Sequence, residues 1–159
     1  MSNRRVVVTG IGALTPVGKT APDFWNGLIS GKSGAQPIEH FDTEDFPTKF
    51  AAQIEDYDEL DYFDRKEARR LDKVCQYALI AADEAIEDTD LDLDDINKDD
   101  VAVIVGTGIG GMITFYDQSI SFHEHGPRGV SPFFIPMLIP DMVAGQISIK
   151  YGFKGPNFC

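Results

Sequence analysis

The sequence predicts an α/β layered fold, with a mostly parallel sheet flanked by helices. Three observations point there. Short β-branched or apolar runs at residues 5–9 and 101–105 each pass into a glycine turn. Amphipathic helical patterns stand between and after them, as in strand–helix units of a parallel sheet. The length of 159 residues, with 43% hydrophobic and 25% charged residues, is that of a globular domain or a large part of one.

Residues 5–9 read as a buried strand entering the turn Gly10-Ile11-Gly12. The same stretch, with Arg4 and Arg5 ahead of three valines, imitates a signal peptide. Gly10, Gly12 and Pro16 break that apolar run, and no small-x-small cleavage site follows, so a strand is the better reading. Thr20 then offers a helix cap, Pro22 falls in the first turn, and Asp23 faces the positive helix end. Phe24, Trp25, Leu28 and Ile29 share a face, and Gly31 ends the helix. Residues 35–63 show no clean period and read as an irregular insertion, pinned to the body by Phe41, Phe46, Phe50, Tyr57, Tyr62 and Phe63.

Asp64 and Glu67 have capping-box spacing. Behind them Leu71, Val74, Cys75, Ala78, Leu79, Ala82, Ala85 and Ile86 repeat at three and four, predicting the most secure helix of the chain. An acidic block runs from 83 to 100, where Lys98 is the one base. It holds most of the formal charge of −12. Residues 101–105 follow as a central parallel strand. The glycine turn 106–111 comes next. Pro140 starts a last helix carrying Met142, Val143, Ile147 and Tyr151, with Lys150 near its end and Gly152 as its stop. The final residues from Gly155 stand where another strand could begin. Two clear strands leave a parallel sheet with uncovered edges, which together with the abrupt end at Cys159 predicts an incomplete domain.

Composition excludes several functions. A net charge of −12 repels a nucleic-acid backbone overall. The apolar stretch 132–149 contains Pro132, Pro136, Pro140 and Asp141 and is too interrupted to span a membrane. Two cysteines, Cys75 and Cys159, make no disulfide framework and no zinc-type pair, which suits a reduced, cytoplasmic setting.

Several motifs have a sharp reading and a plain one. Residues 106–111 fit G-x-G-x-x-G after a strand, the pattern of a dinucleotide loop. No second strand ending in an acid follows about 20 residues on, so a tight turn against another backbone segment, or against a ligand, is the better reading. Asp90, Asp92 and Asp94 imitate the start of a calcium loop, but Asp95 stands where glycine is needed and Val101 where glutamate is needed. A solvated acidic loop remains. His123 and His125 offer two metal ligands without a third, and Glu124 points away from them if the segment is extended. Cys75 lies on an apolar helix face as a small hydrophobe. Cys159 lacks an identifiable base or oxyanion donor and is not read as a nucleophile. Arg65, Lys66, Arg69, Arg70 and Lys73 form the one basic cluster, on a shared side of the predicted helix. It is either a solvated face or a dock for an acidic, phosphate-bearing partner.

Ordered stretches along the whole chain resemble the start of the β-ketoacyl-acyl-carrier-protein synthases, nearest the elongating type II enzymes. They are Arg4 to Gly12, Thr15-Pro16-Val17-Gly18, Phe41-Asp42-Thr43, Arg65-Lys66-Glu67 and Arg69 to Asp72. Gly106 to Gly111, Gly126-Pro127-Arg128, Ser131 to Pro136, Met142 to Gly145 and Gly155-Pro156-Asn157 continue the series. Each motif is weak alone, and the ordered set is specific.

The resemblance implies a thiolase-like fold of two similar α/β halves, of which residues 1–159 would be part of the first. It implies a homodimer, no cofactor, and decarboxylative Claisen condensation of an acyl thioester with malonyl-acyl-carrier protein. The nucleophilic cysteine is expected near position 164, about five residues after Cys159, and both catalytic histidines lie further on. Cys159, His40, His123 and His125 match none of these, so no catalytic residue is expected in this chain. The chain alone is expected to be inactive. What carries over is binding surface. Gly108 and Ile109 match the acyl-tunnel gate, and Phe133 and Phe134 match the aromatic segment at the dimer interface beside the acyl pocket. Arg65, Lys66 and Arg69 match the carrier-protein patch. The alternative is a non-catalytic chain-length-factor-like partner of the same fold. Exposed Phe133, Phe134 and Met137 would make the chain prone to aggregate.

Overall fold

The computed structural model describes residues 4–159 as two compact units. The first comprises residues up to 58 together with 83–90, and the second comprises 59–82 together with 91–159.

In the first unit, α1 spans Ala21–Ile29. Its start is the predicted one: the Thr20 hydroxyl accepts the Asp23 N–H, and Pro22 sits in the first turn. Ser30 caps the other end, and Gly31 follows with φ of +71°. The apolar face is not covered as predicted. Trp25, Leu28 and Ile29 are exposed, and Gly27 is the buried residue of the helix.

Residues 5–9 do not form the predicted strand. Val6, Val7 and Val8 are exposed. A β-branched run is a strand only where a neighbouring strand completes its hydrogen-bond ladder, and no strand pairs with these residues among those described. Within 35–63, β1 (Ala35–Pro37) pairs antiparallel with β2 (Phe50–Ala52). No period announces strands this short. The aromatics of this stretch pin it less than predicted: Phe41 and Phe46 stack edge to face at 5.4 Å but stay exposed, while Phe63 is buried.

The acidic block is not all solvated. The Glu84 carboxylate accepts the Ala13 and Ala21 N–H groups, each at 2.7 Å, and Asp88 accepts the Ile11 N–H at 3.0 Å. These bonds hold the irregular backbone of 11–21, whose N–H groups have no sheet to bond.

In the second unit, the single predicted helix is broken. α2 covers only Arg65–Ala68, and α3 covers Lys73–Glu87, its last turn belonging to the first unit. Asp64 caps α2 by accepting the Lys66 and Glu67 N–H groups at 2.7 and 2.8 Å. Asp72 caps α3 by accepting the Val74 N–H at 3.1 Å. The apolar spacing runs across both pieces, so periodicity alone cannot show the break. Gln76, buried, donates to the Ala68 and Leu71 carbonyls and closes the corner between the two helices.

β3 (Val103–Ile104) pairs in parallel with β4 (Asn157–Phe158). The 101–105 run was expected as a central parallel strand; its ladder is two residues long in each strand, and its partner is the segment after Gly155, where a strand could only be said to begin. The glycine turn leads into α4 (Met112–His125) and then α5 (Phe134–Leu138). α6 (Asp141–Tyr151) begins after Pro140 and stops at Gly152 with φ of +72°, as predicted. Its Val143, Ala144 and Ile147 form the core with Leu71, Cys75, Leu79 and Val103.

The glycine turn is a close backbone approach. The Gly111 N–H donates to the Leu138 carbonyl at 2.9 Å. A Cβ on Gly111 would overlap the Met137 carbonyl, and one on Gly110, whose φ is +87°, would lie 2.5 Å from the Leu138 carbonyl. Nothing lies within 4 Å of a Cβ built on Gly108. Gly111→Ala should therefore cost about 1–3 kcal/mol of stability. Gly108→Ala should change it by less than about 0.5 kcal/mol. Urea unfolding of the two variants followed by circular dichroism checks the contrast, and equal losses would contradict it.

Candidate functional site

The basic cluster sits on the short helix α2 and the residues that follow. Arg65, Lys66, Arg69 and Arg70 line a concavity of about 350 Å³, and Phe133 is its remaining wall. Arg70 places its guanidinium 4.6 Å from the centre of the Phe133 ring, a cation–π contact. No carboxylate lines this space. An adjoining concavity of about 500 Å³ is walled by Asp64, Lys66, Glu67, Arg70, Leu71, Phe133, Pro136 and Gln146.

The structure thus joins two sets that the sequence kept apart. Arg65, Lys66 and Arg69 were expected on a carrier-protein patch and Phe133 on an acyl-pocket wall, and they share one concavity. Arg70, visible in the sequence only as a member of the cluster, is the residue that touches Phe133. Lys73, expected on the same helix side, is the first residue of α3 and does not line this space, because the helix breaks before it.

The other predicted wall residues lie elsewhere. Phe134 opens α5 and is half-buried. Gly108 and Ile109 stand in the glycine turn, with Ile109 64% exposed. The turn and the aromatic segment are tied through α5. Phe133 stands immediately before its first residue, and the Leu138 carbonyl at its end accepts the Gly111 N–H.

Asp64 fixes the cationic helix. Its carboxyl is held below the ordinary 3.8, first by the Glu67 N–H and then by the Lys66 N–H, with the Lys66 and Arg70 charges adding. A lowered folded value means that its contribution is complete above the unfolded value and is lost as pH falls through the folded one.

The remaining candidates follow the plainer readings. Cys75 is 2% exposed, and burial first, then the Asp72 charge, pushes its thiol up to about 11. Cys159 is exposed. His123 and His125 are on α4, not on an extended segment. At about 100° per residue they point some 200° apart, and His125 lies 3.9 Å from Glu124. Among the described residues no group of three or more His, Cys, Asp or Glu is placed to hold a metal. No described helix is long and apolar enough to cross a membrane.

The β-ketoacyl synthase N-terminal domain profile matches residues 3–159. Over 159 residues the chain is 43% identical to 3-oxoacyl-(acyl-carrier-protein) synthase 2 of Synechocystis sp., covering 100% of this chain and 38% of that relative. It is 46% identical over 155 residues to the protein of the same name in Staphylococcus aureus strain N315, covering 98% of this chain and 37% of the other. The chain therefore spans well under half the length of the curated relatives it matches. The solved ishigamide ketosynthase/chain length factor superposes with a TM-score of 0.86 at 26% identity, over 98% of this chain and 39% of that one. A type II polyketide acyl-carrier protein in complex with its ketosynthase, AntDE:AntF, superposes with a TM-score of 0.77 at 25% identity, over 96% and 40%. The fold is that of the thiolase-like ketosynthases, as the sequence resemblance implied.

Two outcomes follow from the site's chemistry. At pH 8 the Cys75 thiol, held at about 11 against an ordinary 9.0, should be alkylated about a hundredfold more slowly than an ordinary thiol. Mass-resolved iodoacetamide labelling of the folded chain should therefore mark Cys159 first, and equal rates would contradict this. The stability advantage of the native chain over Asp64→Asn should shrink as pH falls below 3.8. Acid titration followed by circular dichroism checks it, and a constant difference would remove the assigned role of the carboxylate.

Proposed function

The chain belongs to the β-ketoacyl synthase family, and from that premise we propose that it supplies the N-terminal part of a 3-oxoacyl-acyl-carrier-protein synthase II. The reaction is the decarboxylative Claisen condensation of fatty-acid elongation. A cysteine thiolate takes the acyl group from its carrier thioester and releases the carrier thiol. Malonyl-acyl-carrier protein loses carbon dioxide, and the carbanion so formed attacks the enzyme-bound thioester to make the new carbon–carbon bond. The thiolate and the two histidines that assist belong to sequence beyond residue 159, and residues 1–159 alone carry out no condensation.

The role of this chain in that reaction is to bind. Arg65, Lys66 and Arg69, with Arg70, receive the acidic carrier protein. Gly108, Ile109, Phe133 and Phe134 contribute to the acyl wall, where an alkyl chain gains roughly 0.8 kcal/mol per buried CH₂. The whole protein works as a homodimer in the cytoplasm without a cofactor.

The observation that carries the reading is the concavity of four cations and one aromatic, free of carboxylates, in a chain of net charge −12. Opposite charge brings an acidic partner there, and Phe133 offers apolar surface beside the landing point. A second reading is supported by the likeness to the ketosynthase/chain length factor structure: a non-catalytic partner of the same fold. The residue near position 164 separates the two, cysteine for the enzyme and another residue for the factor.

Calorimetric titration of the chain with acyl-carrier protein tests the landing patch. Reversing Arg65, Lys66 and Arg69 together to glutamate should weaken binding by about tenfold to a hundredfold, and 0.3 M salt should weaken the native interaction. Unchanged affinity in the triple variant would move the carrier elsewhere. Measurable condensation by residues 1–159 with acyl- and malonyl-carrier protein would overturn the claim that this chain is inactive alone.

A further inference from the structure

Asp72 is 5% exposed and engages both carboxylate oxygens. Oδ1 accepts the Val74 N–H at 3.1 Å and so starts α3. Oδ2 accepts both the Thr114 N–H at 2.9 Å and the Thr114 hydroxyl at 2.6 Å. Thr114 lies in the first turn of α4, whose own cap position is Gly111, which has no side chain to bond that turn. A Cβ on Gly111 would also come within 3.1 Å of the same Oδ2. One carboxylate therefore caps two helices and stands against the end of the glycine turn.

Asp72 is also joined to the cationic stretch along the chain. It follows Arg69, Arg70 and Leu71 directly, and Gln76 ties the Ala68 and Leu71 carbonyls to α3. The chain of bonds from α2 to α4 is buried at Gln76, Asp72 and Thr114. Ile109 sits two residues before Gly111.

We propose that Asp72 is a positioning residue that holds the glycine turn carrying Ile109 in fixed register with the cationic helix α2. This rests on the reading of that turn as acyl wall and of that helix as carrier landing. A carrier that docks on α2 delivers its acyl group to a wall whose place Asp72 sets. The side chain touches neither substrate nor carrier.

The isosteric Asp72→Asn tests it. Asparagine keeps an oxygen for the Val74 N–H but turns an NH₂ donor toward the Thr114 N–H, donor against donor. Residue-resolved hydrogen exchange on the chain should show the Gly111, Thr114 and Phe115 amides exchanging about tenfold faster, with the Val143 and Ile147 amides of α6 unchanged. Thr114→Val should reproduce part of the effect, and Thr114→Ser, which keeps the hydroxyl, should restore native rates. Native exchange at Gly111 and Thr114 in Asp72→Asn would overturn the proposal, as would an equal rise at α6, which would mark a global loss of stability. If the turn loosens while the native chain fails to bind acyl-carrier protein, the positioning role stands and the carrier-landing reading falls.

Discussion

A carboxylate buried between two helix starts is the interaction on which the second unit depends. Moving an ionised Asp out of water is costly unless its oxygens are bonded. Asp72 meets that condition with two N–H groups and one hydroxyl, and both helix N-termini favour its negative charge. The arrangement follows from a steric demand elsewhere. The Met137 carbonyl crosses so close to Gly111 that no side chain fits there. The residue at the cap of α4 therefore cannot be Ser, Thr, Asp or Asn, and the cap comes from another element. The close approach that makes the turn compact also makes the borrowed carboxylate necessary.

Signals carried by neighbouring residues were legible in the sequence. Thr20, Asp64 and Gly152 mark helix ends because each acts on backbone within four residues of itself. The strand character of the 101–105 run was legible too, although the segment after Gly155 that pairs with it was not named as its partner. What was not legible depends on partners far along the chain. The valines of 6–8 have the chemistry of a strand, but a ladder requires a neighbour that their own sequence does not specify. The break between α2 and α3 hides because Leu71, Val74 and Cys75 keep helical spacing through it. Asp72 and Thr114 are separated by 42 positions, and no local pattern connects them.

The candidate site divides in the same way. The cluster from Arg65 to Arg70 stands out in an acidic sequence by charge alone. Its aromatic wall does not, because Phe133 reaches Arg70 only through the fold of α4 and α5. The sequence could supply Phe133 only through family resemblance, and that resemblance assigned it to a different surface from the cations.

The two signs of charge are used differently, and the difference bears on recognition. Carboxylates accept hydrogen bonds, so Glu84, Asp88, Asp64 and Asp72 serve as backbone caps. A guanidinium or ammonium has no lone pair for a backbone N–H, and the four cations of the concavity face space that no carboxylate lines. An acidic partner approaching this chain meets repulsion on average, since the net charge is −12. Screening limits each charge to about 8–10 Å in physiological salt. Within that range four cations stand against Asp64 and Glu67, which wall the adjoining hollow, and acids further off are felt only weakly. A basic hollow lined by no carboxylate, in an acidic chain, thus favours an orientation as well as a partner, and the face that attracts has Phe133 at its wall.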